Sequence, residues 1–114
     1  MISENFSRSE FACKCGCGFN AVDKELVYVL EKARFKFNSP VTINSACRCD
    51  SHNKKVGGTD GSKHKLGIAA DIVVKNTKPM EVYSFLCTCA GDKYGIGSYD
   101  NFTHIDVRQD KARW

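Results

Sequence analysis

The chain has 114 residues, 42% of them hydrophobic, which sets the scale of one domain, residues 1–114, with one modest core. Its 17 basic and 13 acidic residues leave a formal net charge of +4. That charge is small and scattered, with no interleaved aromatic platform, so a nucleic-acid partner is excluded. No apolar run approaches the length of a membrane span.

Residues 1–20 read as an irregular, cysteine-rich arm holding Cys13, Cys15 and Cys17, with Gly16 and Gly18 among them. Four further cysteines follow in two pairs, Cys47 with Cys49 and Cys87 with Cys89. The opening Met1–Phe6 lacks the basic segment and apolar stretch of a secretory leader. Reduced thiols or metal binding are therefore expected over disulfides. In an oxidising compartment the seven cysteines would allow three bridges and leave one thiol over. Neighbours in a Cys-x-Cys pair make poor partners for each other. A bridge or a metal bond would more naturally join the N-terminal group to Cys47 or Cys49.

Beyond the arm, Leu26, Val29, Leu30 and Ala33 recur at helical spacing, with Asp23 placed to cap the start and Asn38-Ser39-Pro40 to end it. Val41–Ser45 reads as a strand. Residues 46–66 read as a long polar loop carrying Gly57, Gly58 and Gly61, a length usually reserved for function or disorder. Ile68–Val74 is apolar and β-branched, as a buried strand is. Pro79 suits the first turn of a helix over Met80–Cys89. Tyr94–Tyr99 and Phe102–Val107 read as two strands joined at Asp100-Asn101. The expected class is α+β, a small antiparallel sheet with flanking helices.

Chemistry concentrates in two stretches, Ser62-Lys63-His64 through Ala70-Asp71-Ile72, and Phe102-Thr103-His104-Ile105-Asp106. Two imidazoles and a carboxylate make a three-ligand set for Zn2+, leaving one tetrahedral position open as catalytic sites do. Strand side chains alternate faces, so Ala69, Asp71 and Val73 share one side, as do Phe102, His104 and Asp106. If the two strands are neighbours, Asp71 and His104 converge, and His64 arrives from the preceding loop. A carboxylate set in Ala-Ala-Asp-Ile-Val-Val is costly to bury unless paired or bound to metal. Arg48, just after the Val41–Ser45 strand, offers a planar fork for a substrate carboxylate. Ser62 can bond substrate or shape the loop. His52 and Asn53 are assigned to loop structure rather than to ligation, and Gly57-Gly58 to backbone conformations closed to other residues.

The ordered set Ser62-x-His64-x-x-Gly67-x-Ala69-x-Asp71 followed by His104-x-Asp106 resembles the zinc D-alanyl-D-alanine carboxypeptidases. Their superfamily also holds the hedgehog signalling domain and phage endolysins. The resemblance extends to Ser45-x-x-Arg48, to Asn53-x-x-Val56-Gly57-Gly58, and to the opening Ser9-Glu10-Phe11-Ala12-Cys13-x-Cys15-Gly16-Cys17-Gly18. It implies a hedgehog/DD-peptidase-like fold, Zn2+ on His64, Asp71 and His104, substrate binding by Arg48, and peptidoglycan peptides as substrate. One position departs from the pattern. Several relatives carry an acidic base three residues before the last zinc histidine, and Asn101 stands there. Asp106 is then the candidate base, or the partner that orients His104, with Asp100 in the adjoining turn as a lesser candidate. The alternative to a peptidase is a non-catalytic zinc-binding module for cell wall or a protein partner, including a structural component of a phage particle. A monomer is expected, made in the cytoplasm and reaching the cell wall by lysis or release.

Overall fold

A computed structural model describes residues 2–20, 22–59 and 61–114. Met1 of the expected arm and Asp60 of the expected loop lie outside the described residues.

Helix α1, Lys24–Phe37, starts where the Asp23 side chain accepts the Glu25 N–H, and stops at Asn38 in the left-handed conformation. Strand β1, Val41–Ser45, leads to a short helix α2, Asp50–Lys55, then to a 3-10 turn over Lys63–Leu66 and strand β2, Ala69–Val74. Helix α3, Pro79–Ala90, opens on its proline and ends at Gly91. Strands β3, Gly95–Ser98, β4, Thr103–Asp106, and the two-residue β5, Ala112–Arg113, complete the chain. The sheet runs in the order β1-β2-β4-β3-β5, antiparallel except for the parallel β3–β5 edge. This is the α+β class expected from the sequence.

Alternation divides the sheet into two faces. Ile72, Val74, Ile96 and Ile105 are buried with Leu26, Leu30 and Ala33 of α1 and Val82 and Leu86 of α3, forming the core. The opposite face carries Ala69, Asp71, Gly95, Gly97, His104 and Asp106, with Ala69 and Gly95 both opposite Asp106 and Gly97 opposite His104. Small residues surround the polar ones on this face. A Cβ at Gly95 would overlap the Asp106 carboxylate and the Arg108 side chain, and one at Gly97 would overlap the Trp114 indole. Glycine is required at both places by close approach of a side chain, not by unusual backbone angles.

Strand β5, with its parallel edge, has no counterpart in the sequence-based expectations, and two further parts of the fold differ from them. Residues 46–66 are not a continuous loop, because α2 and the 3-10 turn lie within them. At six residues, α2 is too short and polar to show an apolar stripe, and its one buried residue is Asn53. The arm is likewise not merely irregular. A 3-10 helix spans Arg8–Phe11, and the Phe6 and Phe11 rings lie 6.1 Å apart in the core at 1% and 0% exposure. The Cys47 N–H donates to the Phe11 carbonyl, stitching the arm to the start of the 46–66 segment. Two isolated aromatics carry no period, so their burial left no sequence signal. Among the described residues, no helix is long and apolar enough to cross a membrane.

If the arm is integral to the core, Phe11→Ala should destabilise the protein by about 3–5 kcal/mol. Urea unfolding measures this, and a loss below about 1 kcal/mol would mean that the arm is only draped on the surface.

Candidate metal centre

The register of two strands creates the site. Asp71 of β2 sits directly opposite His104 of β4, so their side chains emerge together on the face away from the core. His104 Nδ1 lies 2.9 Å from Asp71 Oδ1, and His64 Nε2 lies 3.4 Å from the same oxygen. His64 comes from the 3-10 turn. Its N–H bonds to Ser62 Oγ at the start of that turn, and Gly67, at φ +72°, ends it in the left-handed region. The His64 carbonyl accepts the Arg48 N–H at 3.0 Å. All three residues are buried, at 4%, 8% and 8% exposure for His64, Asp71 and His104.

The donors fit a cation. His64 Nδ1 lies 2.7 Å from the Ala46 carbonyl, which can only accept, so that nitrogen carries the proton. The other nitrogen, Nε2, faces Asp71, where it can donate to the carboxylate or, without its proton, offer a lone pair to a cation. His104 Nε2 lies 2.8 Å from Asp106 Oδ2, and its other nitrogen faces Asp71. Both histidines thus have their far nitrogens engaged by acceptors and their near nitrogens directed at one carboxylate. Their ligand atoms all lie within 4.8 Å of one another. Far-nitrogen partners of this kind are what hold metal-binding imidazoles in one tautomer.

Asp106 is the anchor of this arrangement. It is 0% exposed and accepts from His104 Nε2, from the N–H groups of Gly95 and Arg108 at 3.2 Å, and from Arg108 Nε and Nη2 at 2.8 Å. Burial opposes ionisation of Asp106, but the His104 and Arg108 bonds outweigh it and hold the carboxyl well below the usual range. Asp71 is held down similarly, burial being overcome by His104 and His64. Burial pulls His104 down, yet the bonds to Asp106 and Asp71 win and raise it.

Arg48 stands beside the ligand set. Its Nη2 donates to Asp71 Oδ2 at 3.4 Å, its Nε to Ser45 Oγ at 3.2 Å, and its Nη1 to Asn53 Oδ1 at 3.3 Å. A register shift between Ile43 and Ser45 brings Ser45 opposite Asp71 and so directs the chain toward the site. Asn53 is 3% exposed and also donates to the Thr59 carbonyl at 2.8 Å, holding the glycine turn in place. Gly57 has φ +80°, as expected for a turn glycine, whereas Gly58 is needed because a Cβ there would overlap the Asn53 carboxamide.

A cleft of about 490 Å³ opens over these groups, lined by Arg48, Ser62, His64, Asp71, His104 and Arg108 on its polar side. Tyr99, Phe102 and Trp114 form an aromatic wall. The Tyr99 and Phe102 rings stack at 4.5 Å, the Trp114 indole N–H donates to the Tyr99 hydroxyl at 2.8 Å, and its ring lies 5.1 Å from His104. Sequence reasoning missed this wall. Tyr99 and Phe102 flank the β3–β4 turn and were legible as a pair, but nothing local marks Trp114, which reaches the site through β5. Among the described lining residues Asp71 is the one carboxylate; Asp100 and Asn101 are exposed in the turn and do not line the cleft.

No curated protein matches the chain. The family model described as Peptidase M15 matches residues 4–106, a span that takes in most of the arm, Arg48, the glycine turn and all three of His64, Asp71 and His104. With nine-tenths of its length matched, the chain belongs to the Peptidase M15 family of metal-dependent peptidases.

Proposed function

We propose that the protein is a zinc peptidase that cleaves peptidoglycan stem or cross-link peptides, of D-Ala-D-Ala carboxypeptidase or endopeptidase type. The observation that carries this reading is the convergence of His64, Asp71 and His104, their near atoms aimed at one point, in a chain of this family. Two nitrogens and a carboxylate oxygen suit Zn2+ and leave a position open. When bound, the ion supplies Lewis acidity toward a scissile carbonyl and acidifies water at neutral pH.

The chain's own residues prepare that chemistry. Ala46 and Asp106 fix which nitrogen of each histidine faces inward. Arg48 is 14% exposed at its side chain, and Ser45, Asn53 and Asp71 take one bond from each of its three nitrogens, so each terminal nitrogen has a second N–H with which to grip a substrate carboxylate. Ser62 Oγ accepts the His64 N–H and so shapes the turn, and a hydroxyl that accepts there can still donate its own proton to a substrate in the cleft that Ser62 lines. Tyr99, Phe102 and Trp114 offer an apolar surface for the stem peptide. Of the two roles open to Asp106, positioning is favoured over proton transfer: it lies beyond His104 from Asp71, and donors surround it.

A second reading rests on one specific observation. With no carboxylate besides Asp71 among the described lining residues, the cleft lacks an evident general base. That favours a non-catalytic zinc module for cell wall or a protein partner. Purified peptidoglycan separates the two. The peptidase reading expects Zn2+-dependent release of D-alanine or free peptide termini, abolished by His64→Ala, Asp71→Ala or His104→Ala together with the metal. Release by none of the zinc-loaded preparations, with binding to the wall retained, would establish the module instead.

Arg48→Lys should keep its zinc and lose about 10- to 100-fold in kcat/KM, because lysine has no fork. Turnover equal to wild type would reduce Arg48 to an ion pair. Asp106→Asn should weaken zinc affinity by about 10- to 100-fold, measured by competition with a chromophoric chelator. Unchanged affinity with turnover lost by about two to four orders of magnitude would instead identify Asp106 as the base.

The raised His104 sets the direction of a pH effect. Its proton competes with the metal, so affinity should fall as pH is lowered, beginning above the ordinary imidazole value of about 6.5. One displaced proton gives a slope of about tenfold per pH unit. Chelator competition between pH 8 and 5 reads this, and a flat profile would contradict histidine ligation.

A further inference from the structure

Away from the cleft, the thiols of Cys13, Cys15, Cys17 and Cys49 gather into a second cluster, their sulfurs within 4.8 Å of one another. Cys13 Sγ lies 3.4 Å from Cys15 Sγ and 3.8 Å from Cys49 Sγ, and Cys15 Sγ lies 3.6 Å from Cys49 Sγ. A tetrahedral Zn2+ with bonds of about 2.3 Å sets its sulfurs about 3.8 Å apart, close to these three spacings, and Cys17, within 4.8 Å of the others, supplies the fourth thiolate of a closed site. None of the four is bridged to another.

The backbone is shaped for the same purpose. Gly16 and Gly18 take φ of +81° and +91°, which lets the chain double back so that alternate residues point inward together. The Cys13 N–H donates to the Phe19 carbonyl at 2.7 Å and the Gly16 N–H to the Cys13 carbonyl at 3.3 Å, closing the turn. Backbone N–H groups also point at sulfur: that of Cys49 at Cys13 Sγ, 3.5 Å, and that of His52 at Cys49 Sγ, 3.4 Å. Such donors stabilise thiolates. Cys47 is buried nearby at 1% exposure and is not one of the four.

We propose that Cys13, Cys15, Cys17 and Cys49 bind a structural Zn2+, separate from the His64–Asp71–His104 centre, which clamps the N-terminal arm to the start of α2. The clamp has a consequence for the cleft. Cys49 adjoins Arg48 and begins the helix whose Asn53 holds the Arg48 guanidinium. Four bonds to one ion would replace the missing apolar stripe of α2 as the reason this short helix stays in place. Coordination displaces thiol protons and involves no oxidant.

The test uses Asp71→Ala, in which the cleft cannot retain its own metal, so the second site is read alone and independently of the peptidase reading. Purified under reducing conditions, this variant should bind one Zn2+, and wild type two. Its Co2+ form should show the intense visible bands of a tetrahedral ion and ultraviolet thiolate-to-metal bands. Zn2+ should also protect the exposed Lys14–Cys15 bond from trypsin in this variant. Adding Cys49→Ser should remove the bound ion and the protection together. Asp71→Ala protein that binds no zinc, or a Co2+ spectrum without thiolate bands, would overturn the proposal. So would a Cys13–Cys49 disulfide found by mass spectrometry in protein purified without oxidant. Should the double variant fail to fold, the stoichiometry and Co2+ spectrum of Asp71→Ala alone still decide.

Discussion

The antiparallel pairing of Asp71 with His104 is the constraint on which the site depends. Because strand side chains alternate with period two, a slip of one residue in β2 or β4 would send one of these groups into the core and the other to the cleft. The register is held by what lies on the other face. Ile72 and Ile105 are buried against α1 and α3, so the same hydrophobic alternation that builds the core aims the polar residues outward. Folding and site assembly are therefore one event, and only His64 and Arg48 must be brought in from outside the central strands.

Both additions are fastened by backbone as well as by side chains. The Ala46 carbonyl orients His64, the His64 carbonyl accepts the Arg48 N–H, and the Cys47 N–H reaches back to Phe11 in the arm. A chain of bonds through residues 46–48 thus joins arm, turn and cleft. Asp106 performs the corresponding task on the opposite side. Its burial opposes ionisation, but bonds from His104, Arg108 and the Gly95 N–H outweigh that cost, and glycine at position 95 makes the space for it. The arrangement costs the sheet two side chains in β3, at Gly95 and Gly97, and gains room for Asp106 and Trp114.

Much of this was legible in the sequence, and the remainder failed for identifiable reasons. The periodic elements α1, β1, β2, α3, β3 and β4 announced themselves through apolar spacing, caps and Pro79. The His64, Asp71 and His104 set was readable because a carboxylate in an apolar strand demands an explanation. Three features were not readable. Phe6 and Phe11 are isolated hydrophobics whose burial is decided by tertiary contact. Helix α2 has no apolar face, being held by Asn53 and its capping sulfur. Trp114 reaches the cleft through β5, whose two residues carry no pattern. Gly58 was expected to serve an unusual backbone angle and instead makes way for Asn53. Sequence periodicity reports elements long enough to repeat, and these features are single contacts.

The central claim is that His64 Nε2, the Asp71 carboxylate and His104 Nδ1 address one metal ion while Ala46 and Asp106 hold the remaining nitrogens. Anomalous diffraction at the zinc edge from crystals of zinc-loaded protein tests it most directly. The expected result is a peak about 2.0–2.2 Å from each of those three atoms, with the His104 Nε2 to Asp106 bond intact. A peak bound instead through His104 Nε2, with Asp106 displaced, or no peak between these side chains, would contradict it.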